Sequence, residues 1–191
     1  RLCREVVTER DLFHLDGTFY ELPARNAGGF ARVRPIASHP FLIHDFVAWR
    51  GLLAFSGLRP DAAASDHIIR DADGEAGVWV GDIDDLWRLG RPTGVGGPWA
   101  DSEVEAGVPS DPYLLSAYPY RSLKASHHSN ETVEFDIQLD ATGTGRWHTW
   151  SSVSIPKGTE VGSSLPPQLE AYWRRAVSSA DCRATVRLTY R

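Results

Sequence analysis

The densest group of polar and aromatic side chains lies between Gly17 and Gly57, where short apolar-rich runs alternate with loops. The group combines cationic, acidic and aromatic residues: Tyr20, Arg34, His39, His44, Asp45, Trp49 and Arg50. Sugar sites use this mixture, because an aromatic ring stacks on a pyranose while Arg, His and Asp make charge-assisted bonds to hydroxyls or to a uronate carboxylate. This segment is therefore the first candidate site.

Four of these residues are candidates for the catalysis of elimination from an acidic polysaccharide. His39 or His44 would act as the base that removes the proton beside the carboxylate. Arg34 or Arg50 would neutralise the negative charge that develops. These residue types fit a polysaccharide lyase or hydrolase, and whether the chain is an enzyme at all stays open.

The other three residues, Tyr20, Asp45 and Trp49, are candidate substrate-binding groups. A structural role is the alternative, in which Asp45, Trp49 and Arg50 form a hydrogen-bonded lock within one sheet. Removal of such a lock would leave a buried charge unpaired, at a cost of several kcal/mol.

Two further motifs contain residue types that bind metal ions. Asp71, Asp73 and Glu75 lie in a DADGE run whose alternating carboxylates and glycine suit Ca²⁺. The run lacks the distal Glu of an EF-hand, so a solvated hairpin turn is the alternative. The neighbouring His127 and His128 would point to opposite faces of a strand and cannot share one metal without distortion. No ligand set for a catalytic metal is found.

Trp147 and Trp173, in the second half of the chain, could lie on an exposed surface that stacks against sugars. The alternative is that these rings fill a core or an interface with a neighbouring domain.

Composition narrows the function classes. The net charge of −5 and the pI near 5.8 argue against a nucleic-acid partner. No run of 18 apolar residues is present, so no membrane-spanning helix is expected. The sequence contains no Met, which suggests a processed piece or a segment of a longer protein. Cys3 and Cys182 could form a disulfide or remain free thiols.

Short alternating runs predict an all-β chain with a boundary near its middle. In residues 1–90 we predict strands at 5–8, 12–15, 18–22, 30–37, 43–49, 52–55, 67–69, 77–80 and 82–89. Residues 91–112 are rich in Gly and Pro, which predicts a linker. In residues 113–191 we predict seven strands, at 113–118, 122–128, 132–139, 147–156, 159–165, 171–179 and 182–190. Seven short alternating strands favour an antiparallel β-sandwich.

The stretches GTFYELP, GGFARVRPIASH, HDFVAWRGLLAFSG and LWRLGRPTGVGGPWADSEVEAGVPSDPYLLSAY resemble a family of large, secreted bacterial β-propeller proteins of poorly defined function. The closing stretches GTGRWHTWSSVSIPKGTE and LEAYWRRAVSSADCRATVRLTY resemble the small C-terminal β-sandwich of that family. The resemblance implies propeller-like blades in residues 1–90 and a secreted or periplasmic location. Propellers of this sort are often carbohydrate-active, which implies a polysaccharide or oligosaccharide partner.

A propeller needs four to eight blades, and residues 1–90 supply about two. We therefore expect the ring to be incomplete here, with further blades upstream or on a second chain; a meander packed on the sandwich is the alternative. The sequence thus leaves two functions open. One is a carbohydrate-active or carbohydrate-binding portion of a secreted propeller protein, and the other is a non-catalytic assembly module that docks on a partner chain.

Overall fold

The computed structural model describes residues 2–6 and 10–191 and divides the chain into two compact units, residues 1–92 and 93–191. Both units are built from antiparallel strands, with three short 3-10 helices in the described part of the first. The prediction of an all-β chain is confirmed. None of the helices described in residues 2–6 and 10–191 is long and apolar enough to span a membrane.

The first unit contains two four-stranded sheets. Its strands are β1 (Leu2–Val6), β2 (Arg10–Leu15), β3 (Thr18–Leu22), β4 (Arg34–Ser38), β5 (Phe46–Trp49), β6 (Leu52–Ser56), β7 (Ile68–Arg70) and β8 (Gly77–Gly81). One sheet is a simple meander in the order β1-β2-β3-β4, and the other has the order β5-β6-β8-β7. Residues 7 and 8 of the predicted first strand lie outside the described residues.

Two hairpin turns of the first unit have the backbone that their residues predict. Asp16 and Gly17 have φ of 48° and 74°, and Arg50 and Gly51 have φ of 51° and 84°. Two consecutive positive φ angles define the type I′ turn, whose twist matches that of the flanking strands. Arg50 adopts this conformation without the freedom of a glycine, which costs of order 1 kcal/mol.

One apolar core is shared by both sheets of the first unit. Its buried members are Val6, Leu12, Phe19, Ile36, Ala37, Phe46, Leu53, Phe55, Leu58, Trp79 and Leu86. Phe55 stacks nearly parallel on Trp79 with 4.7 Å between ring centroids, and its ring lies 5.9 Å from that of Phe19 in the other sheet. Aromatic packing therefore joins the two sheets.

Two predicted strands of the first unit are wrong in part. Residues 83–88 form a 3-10 helix, Ile83–Arg88, because Asp82 and Asp85 make a capping box and Leu86 turns into the core. The strand predicted at 30–37 is shortened to β4, because Gly29–Arg32 is another 3-10 helix. In both places local hydrogen bonding overrides a weak strand pattern.

The second unit also contains two four-stranded sheets. Its strands are β9 (Gly94–Val104), β10 (Tyr113–Leu114), β11 (Arg121–His127), β12 (Val133–Asp140), β13 (His148–Ile155), β14 (Glu160–Leu165), β15 (Trp173–Ser178) and β16 (Cys182–Tyr190). The sheet orders are β14-β11-β16-β9 and β10-β15-β12-β13. All seven strands predicted after residue 112 are present, and none of the four sheets closes on itself in the described chain.

The core of the second unit lies between its two sheets. Alternate residues of β12 (Val133, Phe135, Ile137 and Leu139) and of β16 (Cys182, Ala184, Val186 and Leu188) are buried in it. The Trp99 ring meets the Phe135 ring edge-on, with 5.5 Å between centroids. Cys182 is therefore a core residue, while Cys3 is exposed, and both are free thiols.

The segment predicted as a linker contains a full strand, so the expected boundary is corrected. β9 pairs antiparallel with β16, with irregular register around Val186. A Cβ on Gly97 would overlap the Val186 carbonyl oxygen, whereas one on Gly96 would only touch the Tyr113 ring at 3.5 Å. Gly97 lets the backbones of β9 and β16 approach closely. Composition alone does not distinguish a glycine with this role from a glycine in a flexible segment.

The two glycines give a direct test of β9. We expect Gly97→Ala to lower the free energy of unfolding by about 2–4 kcal/mol, because a backbone carbonyl must move. Gly96→Ala should change it by less than about 1 kcal/mol. Urea unfolding of the full chain measures both, and equal, small effects would show that the segment behaves as a linker.

Candidate functional site

The seven residues of the first candidate site are distributed over both sheets of the first unit. Tyr20 is in β3, Arg34 in β4, His39 directly after β4, His44 and Asp45 directly before β5, and Trp49 and Arg50 at the β5–β6 turn. Among the seven residues, the side chains of Trp49 and Arg50 lie together in a cation–π contact, with 5.1 Å from the guanidinium to the ring centre. The structure thus does not bring the seven residues together.

His39 is buried and pairs with a second histidine that the sequence reasoning missed. The Nε2 atoms of His14 and His39 are 3.1 Å apart, and their rings stack at 14°. The alternation of β2 could have identified His14, since it shares a face with buried Leu12. Phe19 packs against both imidazoles, so the pair is enclosed by apolar rings.

The hydrogen bonds fix the protons of this pair. The backbone N–H of Phe41 donates to Nδ1 of His39 at 3.1 Å, so the proton of neutral His39 is on Nε2. That proton then points at Nε2 of His14, which accepts it. A further proton on Nε2 of His14 would face the His39 N–H, and one on Nδ1 of His39 would face the Phe41 N–H.

Burial opposes protonation of both rings. It lowers the pKa of His39 to about 4, with the neighbouring His14 adding to the effect, and it also lowers the pKa of His14. His39 is a base that substrate in solution does not reach, since it is only 9% exposed. Its position is that of a core residue.

Other candidates of the first site have partners of their own. Arg34 pairs with Glu21 at 2.6 Å, and Asp45 accepts hydrogen bonds from Arg4 at 3.2 and 3.3 Å. The predicted lock of Asp45 with Trp49 and Arg50 does not form; instead Asp45 connects the segment before β5 to β1. The Tyr20 ring contacts Phe13, with 5.8 Å between centroids.

His44 lies in a surface groove of about 570 Å³ that Asp71 and Glu75 also line. Arg70 closes one side by donating to the carbonyl oxygens of Gly74, Arg59 and Ala62. The Asp71 carboxylate accepts the N–H of Ala76, so it stabilises the hairpin turn. Across residues 2–6 and 10–191, no three His, Cys, Asp or Glu side chains are placed to hold a metal ion.

A second candidate surface lies on the outer face of the β10-β15-β12-β13 sheet. The Arg175 guanidinium lies 4.4 Å from the centre of the Trp147 ring, and its Nε donates to the Gln138 side chain at 2.7 Å. Beside them, Ser152 donates to Asp136 at 2.5 Å. We call Trp147, Arg175, Gln138, Asp136 and Ser152 the outer-face site.

The loop that leads to Trp147 is held by one buried carboxylate. Asp140 accepts hydrogen bonds from the backbone N–H groups of four consecutive residues, Thr142, Gly143, Thr144 and Gly145. Burial alone would raise the pKa of Asp140, but these four bonds outweigh it and the pKa is lowered. The carboxylate is therefore charged and fixes the loop backbone.

One end of the second unit buries a set of polar residues that the sequence reasoning did not identify. Arg121 and Arg174 are both buried, and Arg174 lies 5.2 Å from the centre of the Tyr190 ring. The alternation of β15 contains the signal, because Arg174 shares the inward face with Ala176 and Ser178. Two neighbouring arginines in the sequence obscure which one points inward.

The two adjacent histidines at the end of β11 point to opposite faces of the strand, as the strand period predicts. His127 is buried and bonds to the Ile155 carbonyl oxygen at 2.8 Å, and His128 is exposed beside Asp101. They do not form a metal site.

Comparison with known proteins leaves the family open. No protein-family model matches the chain, and no curated protein matches it. The crystal structure of PirA is 16% identical with a TM-score of 0.29, covering 52% of this chain and 93% of that one. The crystal structure of PBSX exported protein XepA is 12% identical with a TM-score of 0.37, covering 68% of this chain and 46% of that one. These similarities are too low to argue from.

The histidine pair predicts a pH-dependent stability. Between pH 6.5 and about 4 the unfolded chain binds a proton at position 39 that the folded chain does not, so stability falls as the pH falls. The loss should reach about 3 kcal/mol at most. His39→Asn stays neutral and can still accept the Phe41 N–H. Urea unfolding at several pH values should show a flatter profile for this variant, and parallel profiles would contradict the prediction.

Proposed function

We propose that this chain is a carbohydrate-binding module without catalytic activity of its own, and that the outer-face site binds an oligosaccharide. The observation that carries the proposal is the Trp147 ring, held by Arg175, which is itself anchored on Gln138. An aromatic ring beside several hydrogen-bonding groups of one sheet face suits the binding of a sugar ring.

Each group of the outer-face site has a role in this proposal. The Trp147 indole stacks on the apolar face of a pyranose, with its orientation set by the cation–π contact. Arg175 and Gln138 donate to sugar oxygens, while Asp136 accepts from sugar hydroxyls. Because Arg175 favours a carboxylate and Asp136 disfavours one, the charge of the preferred sugar depends on which side chain it meets.

We propose that the two sheets of the second unit form a β-sandwich. The interlocking of alternate residues from both sheets in one core supports this assignment. A sandwich gives the outer-face site a rigid platform, because β12 and β15, which carry Asp136, Gln138 and Arg175, each pair with a strand on either side.

Binding is favoured over lyase chemistry by the state of the predicted catalytic residues. His39 is enclosed in the core, Arg34 is paired with Glu21, and Arg50 lies at a turn beside Trp49. The His44 groove contains carboxylates, which would repel an acidic sugar. A polysaccharide partner fits a secreted or periplasmic location, which is part of the proposal.

The first unit supports a second candidate function, docking to a further β-sheet. Val47, Trp49, Ile69 and Val78 of the β5-β6-β8-β7 sheet are 54%, 58%, 64% and 39% exposed, and Ile69 pairs with Val78. The opposite face of the same sheet packs on β1–β4 through apolar residues. We propose that this exposed face receives another blade-like sheet, from a longer chain or a second chain, in a propeller.

Mutation of the outer-face site tests the sugar proposal. We expect Trp147→Ala and Arg175→Met each to weaken binding of the best oligosaccharide at least tenfold, or about 1.4 kcal/mol. Trp87→Ala, which removes an exposed indole of the first unit, is the matched control and should bind normally. Isothermal titration with a panel of neutral and uronate oligosaccharides provides the measurement. No heat with any of them would contradict the proposal.

Docking predicts that the chain associates with itself when its partner sheet is missing. Sedimentation velocity of the full chain should show concentration-dependent association through the apolar face. Ile69→Lys should shift the chain to monomer, whereas Val95→Lys, at a residue 61% exposed in the second unit, should not. A wild-type monomer at all concentrations with a cooperative melt would argue against docking.

A further inference from the structure

A β-bulge in β13 changes which side chains this strand presents to the outer face of its sheet. β13 pairs antiparallel with β12, and Ser151 lies opposite Ile137. The next pair joins Thr149 to Gln138, so Trp150 lies between the two pairs as the extra residue of the bulge. Because a bulge inserts one residue into the alternation, the side chains on its far side change the face to which they point.

The bulge brings two tryptophans to one face of the sheet. On a regular strand, residues three positions apart point to opposite faces, so Trp147 and Trp150 would be separated. By alternation Trp150 points to the same side as Ser152, whose hydroxyl donates to Asp136 of the outer-face site. Trp147 lies on the other side of the bulge, and it also reaches the outer face, where it contacts Arg175. The extra residue therefore places both indoles at the outer-face site.

Trp150 is the more accessible of the two rings. It is 39% exposed, whereas the Trp147 ring is partly buried and has the Arg175 guanidinium over it. β13 is an edge strand in the order β10-β15-β12-β13, and its residues, HTWSSVSI, include no Asp, Glu, Lys or Arg. Exposed apolar surface on such an edge is a liability, because the edge can associate with another chain. Binding of a ligand gives a reason to keep a large ring there.

The distance between the two indoles indicates the kind of ligand. A strand rises about 3.3 Å per residue, so positions 147 and 150 are separated by roughly 10 Å along the strand direction. One pyranose that stacks on one indole does not extend to the second over this distance, whereas two sugars of a linear chain do. Gln138, opposite Thr149, lies between the two positions and contributes hydrogen-bonding groups there.

We propose that the outer-face site continues along β13 to Trp150 and binds a linear polysaccharide lengthwise, with different sugars of one chain stacked on Trp147 and Trp150. The inference rests on the proposed sugar-binding function and adds the class of ligand, an internal segment of a chain rather than a single sugar. The β-bulge is then the feature that sets how much of the polysaccharide is bound.

The length of the oligosaccharide tests the inference on the full chain. Isothermal titration uses cello-, xylo- and chito-oligosaccharides and oligogalacturonides, each from the monosaccharide to the hexasaccharide. For the sugar that binds, we expect the affinity to rise at least about tenfold from the monosaccharide to the tetrasaccharide, because the second indole is engaged. Equal affinity at every length would overturn the inference and leave sugar binding in place. Absence of binding at any length would remove the proposed function and the inference together.

Substitutions at position 150 show whether its ring provides the gain. Trp150→Ala should bind the tetrasaccharide no more tightly than the monosaccharide, while Trp150→Phe should keep most of the gain, because it retains a stacking ring. Ser154→Ala, at an exposed residue of the same strand, is the matched control and should behave as the unmodified chain. The melting midpoint of each variant, which these exposed side chains should leave unchanged, confirms that it is folded. A length gain that persists in Trp150→Ala would overturn the inference.

Discussion

The two-residue period of apolar side chains on antiparallel strands is the constraint on which both units depend. Each strand presents alternate residues to one side, so every sheet acquires one apolar face that must be covered. In each unit residues of both sheets contribute to one apolar core, where the aromatic contacts Phe19–Phe55 and Trp99–Phe135 join the sheets. A polar side chain then lies on an outer face or, if it is buried, must be accommodated within the core. The buried side chains include those of His14, His39, Asp140 and Arg174.

The constraint also explains where binding and catalysis could occur. In the first unit the histidine that chemistry would need is on the covered side of its strand, which removes it from any substrate. In the second unit, Trp147, Arg175 and Gln138 are on the uncovered side, where a ligand can reach them. The proposal of a binding surface, with no catalytic role for His39, is based on this distribution.

Much of the fold could be predicted from the sequence, because alternation is a local signal. The strands after residue 112 followed from it directly. The wrong predictions lie where a residue has a structural role that its residue type does not indicate by itself. Asp82 begins a 3-10 helix, and Gly97 makes room for a neighbouring backbone, and neither role is visible without the paired partner. The candidate site was harder still, since closeness in sequence placed His39, Asp45 and Arg50 together while the fold separates them.

The way in which Asp140 holds its loop has a consequence for which residues of the loop can change. Its four anchoring bonds use only main-chain N–H groups, so the backbone path to Trp147 does not depend on most of the side chains that it carries. Gly143 and Gly145, with φ of 66° and 78°, are constrained by conformation. Thr142, Thr144 and Arg146 are exposed, and the hydroxyls of the two threonines bond to each other at 2.8 Å. Proline is excluded at positions 142 and 144, because it lacks the N–H that bonds to Asp140. Outside the two glycines, the side chains of this loop can therefore vary while the backbone that leads to Trp147 keeps its path.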